Sequence, residues 1–112
     1  LALAYERVGD PATAEQLYRE ALKLDPRNVR TLYNVGNYLA EHGRDREAVA
    51  HYEEALKYDS RHAMSHVNLG ILLARRGRLD EAVQHYYEAL RVMPNLTEAH
   101  VQLALVLRDQ GK

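Results

Sequence analysis

Gly77-Arg78-Leu79-Asp80-Glu81-Ala82-Val83-Gln84-His85-Tyr86-Tyr87-Glu88-Ala89-Leu90 restates Gly43-Arg44-Asp45-Arg46-Glu47-Ala48-Val49-Ala50-His51-Tyr52-Glu53-Glu54-Ala55-Leu56, found 34 residues earlier. Glycine falls on glycine, alanine on alanine, histidine on histidine and tyrosine on tyrosine. The same frame reaches back to Gly9, Ala14, Tyr18, Ala21 and Leu22 and forward to Gly111. Residues 29–62 laid on residues 63–96 agree at 14 of 34 positions, where unrelated sequences would agree at about 2. Self-similarity at a fixed period of this size marks a repeat array.

Within each period the apolar residues recur at three- and four-residue spacing, the mark of a helix with one buried stripe. Leu1 to Val8 reads as the end of a helix stopped by Gly9. Asp10 as N-cap and Pro11 at the first helical position predict a helix to about Leu24, closed by Asp25-Pro26. The second unit starts near Val29 with Leu32, Val35, Gly36 and Leu39 and stops at Gly43. Its second helix, about Asp45 to Tyr58, carries Ala48, Val49, Tyr52, Ala55 and Leu56. The third repeats this with Leu69, Gly70 and Leu73, then Ala82, Val83, Tyr86, Ala89 and Leu90, closed by Pro94. The fourth has a first helix alone, about Thr97 to Gln110, with Leu103, Ala104 and Leu107 in the matching places. No strand pattern occurs, and connections of two to five residues set consecutive helices antiparallel and in contact.

The expected architecture is therefore an all-α solenoid of antiparallel helix pairs forming one array. It divides into a partial unit (1–28), two full units (29–62 and 63–96) and the first helix of a fourth (97–112). Glycine in mid-helix costs about 1 kcal/mol relative to alanine. Gly36, Gly70 and Ala104 in register thus predict that another helix passes close. Tyr18, Tyr52 and Tyr86 are expected to fill the space between helix pairs.

With 15 basic and 16 acidic residues the net charge is −1, which leaves no electrostatic footprint for nucleic acid or an anionic membrane. The chain has no cysteine, which removes disulfide, zinc-thiolate and cysteine-nucleophile chemistry. No apolar run reaches the length of a membrane helix. Phosphate loops, HExxH and serine elbows are missing, so neither a catalytic residue nor a cofactor is expected. Two histidine pairs, His51 with His85 and His66 with His100, are each one period apart. Equivalent residues lie on neighbouring layers rather than around one point, so packing or surface roles are expected and no metal. Glu47, Glu53, Glu54, Glu81 and Glu88 are expected on a solvated outer face. The compartment is not fixed by the sequence, with the cytoplasm the default expectation. The start at Leu1, inside an amphipathic pattern, suggests a piece of a longer array.

His66-x2-Leu69-Gly70-x2-Leu73, Ala82-x3-Tyr86 and Pro94 resemble the tetratricopeptide repeat, whose pattern is W-x2-L-G-x2-Y, A-x3-F and P over 34 residues. Leu32-x2-Val35-Gly36-x2-Leu39 and Ala48-x3-Tyr52 follow it too, with Ser60 in place of the proline. Tyr5, Ala14-x3-Tyr18 and Pro26 are what the first unit keeps. Leu32, His66 and His100 stand where the family has tryptophan. The resemblance implies a right-handed superhelix with the first helix of each pair lining the concave face. It also implies a protein or peptide ligand there, without catalysis.

On that face the expected binding residues are Asn34, Asn68 and Gln102, one period apart, with Tyr33, Val67 and Val101 and with Asn37, Ile71 and Leu105. By resemblance to members that bind extended peptides, the amides would form a ladder that reads a peptide backbone. Chaperone-binding members hold a terminal carboxylate with lysine and arginine. Asn37 and Asn68 fit that clamp's asparagines, but Tyr33, Glu98 and Gln102 occupy its cationic places, which argues against it. The main reading is a non-catalytic scaffold; the alternatives are the substrate-recognition arm of a larger enzyme, such as a glycosyltransferase, and a self-assembly module. Self-association is expected through array ends left uncovered at Leu103, Val106 and Leu107, or at Leu1, Leu3 and Tyr5.

Overall fold

The computed structural model describes residues 11–111. The expected helix Leu1 to Val8, its stop at Gly9, the cap Asp10 and the apolar end at Leu1, Leu3 and Tyr5 lie outside the described residues. Six helices follow: α1 (Pro11–Leu24), α2 (Val29–Glu41), α3 (Asp45–Tyr58), α4 (Ala63–Arg75), α5 (Leu79–Val92) and α6 (Thr97–Asp109).

The stops work as glycine chemistry dictates. Gly43 sits at φ 75° and Gly77 at φ 80°, a region where side chains are disfavoured. Past each glycine the chain folds back on the helix end. Arg44 N–H donates to Leu39 C=O at 2.8 Å and Gly43 N–H to Ala40 C=O at 3.2 Å, and Arg78 and Gly77 repeat the pattern on Leu73 and Ala74. This paired closure satisfies carbonyls the helix leaves open. The starts differ. Asn28 caps α2 by accepting from Thr31 N–H at 2.9 Å, His62 caps α4, and Leu96 offers α6 no side-chain cap.

The two helix pairs described in full, α2–α3 and α4–α5, are each locked by a tyrosine lying on a glycine. A Cβ added to Gly36 would stand 2.6 Å from Cε1 of Tyr52, and one added to Gly70 would stand 2.5 Å from Cε1 of Tyr86. The mid-helix glycines are therefore explained by an aromatic ring sixteen residues later in the same pair, not by a neighbouring helix backbone. Ala104 occupies the matching place on α6 and is exposed, so no close approach occurs there. Burying a tyrosine ring removes about 150 Å² or more from water, worth about 4 kcal/mol, which outweighs the helix cost of the glycine. Ala14, Ala48, Ala82, Ala55 and Ala89 are fully buried and let the second helices close in.

α2, α4 and α6 touch one another in succession, whereas α1, α3 and α5 do not. First helices thus form the inner row and second helices the outer one. One apolar core runs through the stack from Ala14 and Tyr18 to Leu103 and Val106, and a small cluster of Ala63, Val67, Ala89 and Ala99 adjoins it. Leu103 and Val106 were expected to be uncovered. They are buried, because α6 packs on both α4 and α5 and turns that stripe inward. On the outer row Arg44 forks onto both carboxylate oxygens of Glu47 and reaches back to Glu15 on α1, while Arg78 repeats the fork on Glu81. Of the expected outer carboxylates, Glu47, Glu53, Glu54 and Glu81 are exposed and Glu88 is half-buried.

Gly70→Ala is expected to lower stability by about 1–2 kcal/mol in urea unfolding, because overpacking against a buried ring exceeds the helix-propensity gain.

Candidate functional site

The inner row carries a polar couple at its centre. Asn68 on α4 donates from Nδ2 to Asn37 Oδ1 on α2 at 2.8 Å and to the Tyr33 hydroxyl at 3.3 Å. Asn37 Oδ1 also accepts the Tyr52 hydroxyl proton. Tyr52 rises from the outer helix α3, its ring seated on Gly36, so the core lock delivers a hydroxyl to the inner face. Burial is the main cause that holds the Tyr52 phenol above its ordinary range, and it stays a neutral donor at physiological pH.

The bonding leaves a defined remainder. Asn37 Oδ1 receives two bonds and both Asn68 bonds leave from Nδ2. The bonds within the couple leave over Asn37 Nδ2, a donor, and Asn68 Oδ1, an acceptor: the two halves of a peptide's own hydrogen-bonding pattern. The couple opens on a concavity of about 330 Å³ lined by Asn37, Glu41, Tyr52, Asn68, Ile71 and Arg75, among others. Arg75 stands 3.9 Å from Asp45, so this edge carries both charge signs.

The structure separates the residues expected on this face. Asn37, Asn68 and Ile71 line one concavity, with the Tyr33 hydroxyl bonded to Asn68. Asn34 and Gln102 are half-buried and make no hydrogen bond with the couple. The side-chain bonds of Asn68 reach Tyr33 and Asn37 on α2 and not Asn34, one period away. The partner of Asn68 is residue 37, not 34, because adjacent helices are offset by about a turn. Val67 corrects the expectation outright. It is 0% exposed, within the small cluster that α6 closes, and offers a ligand no surface. Val101 and Leu105 on α6 are 49% and 39% exposed. Tyr52 is the residue sequence reasoning missed as part of the site; it was read as core filler only, although its phenol carries a polar tip.

One period on, the arrangement breaks down. Ile71 replaces Asn37, and the Tyr86 hydroxyl is buried with no hydrogen-bond partner. Burial, then the charge of Glu98, pushes its phenol up to about 12. No three metal-ligating side chains gather among the described residues. Histidines one period apart stand on different helices, His51 and His85 on α3 and α5 and His66 and His100 on α4 and α6, whereas His66 and His85, which are not equivalent, meet with their Nδ1 atoms 3.0 Å apart. No described helix is long and apolar enough to cross a membrane.

Models of the tetratricopeptide repeat match residues 36–95 and 1–61. The fold is similar to a crystal structure of MamA at 23% identity, with a TM-score of 0.91 over 99% of this chain and 65% of that one. It is also similar to the first TPR of Spaghetti (RPAP3) bound to the HSP90 peptide SRMEEVD, at 19% identity with a TM-score of 0.92 over 99% and 88%. The type III secretion translocator chaperone SycD of Yersinia enterocolitica matches at 17% identity with a TM-score of 0.88 over 99% and 81%. The chain spans less than two thirds of the MamA chain, and at these identities the likeness is one of fold. No curated protein sequence matches.

Tyr52→Phe is expected to cost about 1 kcal/mol, since it removes a bond to Asn37. Tyr86→Phe is expected to be neutral or stabilising by up to about 1 kcal/mol, since it removes an unpaired buried hydroxyl. Chemical denaturation of both variants beside wild type measures the contrast.

Proposed function

The chain belongs to the tetratricopeptide repeat family, and we propose that it is a non-catalytic interaction scaffold that takes an extended peptide segment along its inner face. The observation that carries this reading is the Asn37–Asn68 couple. It spans two helices and is fixed by two tyrosine hydroxyls, so its orientation is set before a ligand arrives. A pre-ordered donor and acceptor lose little entropy on binding. They match a peptide C=O and N–H in mid-chain.

The Spaghetti TPR is bound to a peptide, SRMEEVD, which supports a peptide ligand as a class. The chemistry here favours an internal segment over a terminal carboxylate. Tyr33, Glu98 and Gln102 stand where the clamp of chaperone-binding members has cations, and Glu41 lines the same concavity as Arg75. A carboxylate ligand would lack its charge-assisted contacts. Ile71 supplies an apolar wall beside the couple.

Selection from a library of unstructured peptides tests the reading. Asn68→Ala is expected to weaken the selected peptide about 10-fold, equivalent to roughly 1.4 kcal/mol, with helical content unchanged. Equal affinity for both proteins contradicts an inner-face site.

A second reading is self-association through α6, supported by the exposed pair Val101 and Leu105. Under it the wild type sediments as an oligomer at high concentration and Val101→Glu/Leu105→Glu as a monomer; a monomeric wild type contradicts it.

A further inference from the structure

We propose that the third helix pair, α4–α5, holds a proton-sensitive joint made of His62, His66 and His85, whose lone pairs fasten the start of α4 and tie it to α5. The preceding pair, α2–α3, has no such joint.

The bonding defines the tautomers. His66 Nε2 faces the carbonyl oxygen of Ser60 at 2.9 Å. A carbonyl only accepts, so Nε2 carries the hydrogen. Neutral His66 therefore turns a lone pair at Nδ1 toward His85 Nδ1, 3.0 Å away, and His85 donates. One added proton preserves this bond with either ring as donor. A second sets two N–H groups against each other at 3.0 Å, in a place where His66 is only 7% exposed.

His62 works through a lone pair as well. Its Nδ1 accepts from Ser65 N–H at 3.2 Å and lies 2.7 Å from Ser65 Oγ. Protonation removes that acceptor and places a cation at the positive end of a helix. The His62 ring stands edge-on to Tyr33, centroids 5.1 Å apart, and the Tyr33 hydroxyl accepts from Asn68. The joint thus abuts the inner face.

The surroundings resist charging. Burial, then the charge of His66, holds His85 below the ordinary histidine range, against the weaker pull of Glu81 and Glu88 on α5. Burial also lowers His62, against Asp59 of the α3–α4 turn and with His66 adding to the shift. Glu81 is held by Arg78, and Glu88 lies 3.4 Å from Arg91. No charged side chain of α3 or α6 is among the groups acting on His85. A concavity of about 390 Å³, lined by His66, His85, Gln84, Tyr87, Glu88 and Arg91, gives protons access.

The repeat supplies its own control. In the 34-residue frame, position 62 corresponds to Asn28, which caps α2 without titrating. Position 66 corresponds to buried Leu32. Position 85 corresponds to His51, whose Nδ1 faces its own helix at Glu47 C=O, 2.9 Å away. His62 and His85 are lowered in the folded state, so the unfolded chain binds more protons as the pH falls. The stability they contribute is complete above pH about 6.5 and is lost as the pH drops below it.

Thermal unfolding at pH 7.5 and pH 5.5 tests this with the wild type and with His62→Asn/His66→Leu, side chains the second pair already holds at those places. The wild-type midpoint is expected to fall by about 5 °C more than that of the variant; equal falls overturn the proposal. Should the double variant not fold at pH 7.5, His62→Asn alone serves, with a smaller difference expected and no difference overturning it. Nitrogen-15 histidine spectra at pH 7.5 are expected to show the Nε2–H tautomer for His66 and the Nδ1–H tautomer for His85; Nδ1–H on His66 overturns it.

Discussion

A tyrosine ring lying on a glycine is the contact from which the rest of this structure follows. The glycine has no Cβ, so the ring approaches to a distance that any other residue would forbid. That approach fixes how the two helices of a pair lie on each other. It also fixes where the phenol oxygen ends up, which is beneath the inner row. Packing and polar chemistry are therefore one arrangement: the ring fills the core and carries a hydroxyl to the underside of the inner row. In the α2–α3 pair the hydroxyl finds Asn37 and orders it for Asn68. In the α4–α5 pair the same ring delivers the same hydroxyl to a place where the matching residue is Ile71, and it stays unpaired.

Repetition of a fold does not repeat its chemistry. The residues that close helices and fill the core, Gly43 and Gly77 or Ala48 and Ala82, recur because each pair has the same geometry to satisfy. The residues between them are free to differ, and they do. Asn28, His62 and Leu96 stand at one structural place and give a permanent cap, a titratable cap and no side-chain cap. Leu32 and His66 share another place, one an apolar plug and the other half of a histidine pair. The inner face is accordingly not a uniform ladder. It has one pre-ordered amide couple, an apolar stretch beyond it and a histidine cluster close by.

Helix bounds and core were legible in the sequence because their signals are local. Pro11 and Asp25-Pro26 mark the ends of α1, and Gly43 and Gly77 adopt the left-handed conformation their positions imply. The 34-residue frame then aligned Tyr52 with Tyr86 and Ala48 with Ala82 before any contact was known. The site was legible only in part. Asn37, Asn68 and Ile71 were readable as inner-face residues, but period arithmetic pairs 34 with 68, whereas the offset between adjacent helices pairs 37 with 68. That offset is a property of packing and leaves no trace in spacing. Val67 failed for a related reason: its place in the frame matches exposed Val101, and only α6 lying over it decides that it is buried. The meeting of His66 with His85 joins two unlike places in the frame, which no comparison of repeats brings together.

If the inner-face couple is the recognition surface, its side-chain amides must report the ligand directly. The decisive measurement is a nitrogen-15 NMR titration with a peptide selected for binding, following the side-chain NH₂ signals of Asn37 and Asn68 and the backbone signals of Ile71 and Arg75. The account predicts that these four positions shift together and saturate with one affinity, while signals on the outer helices α3 and α5 stay in place. Shifts confined to the outer face, or to Val101 and Leu105 at the end of the stack, would contradict it.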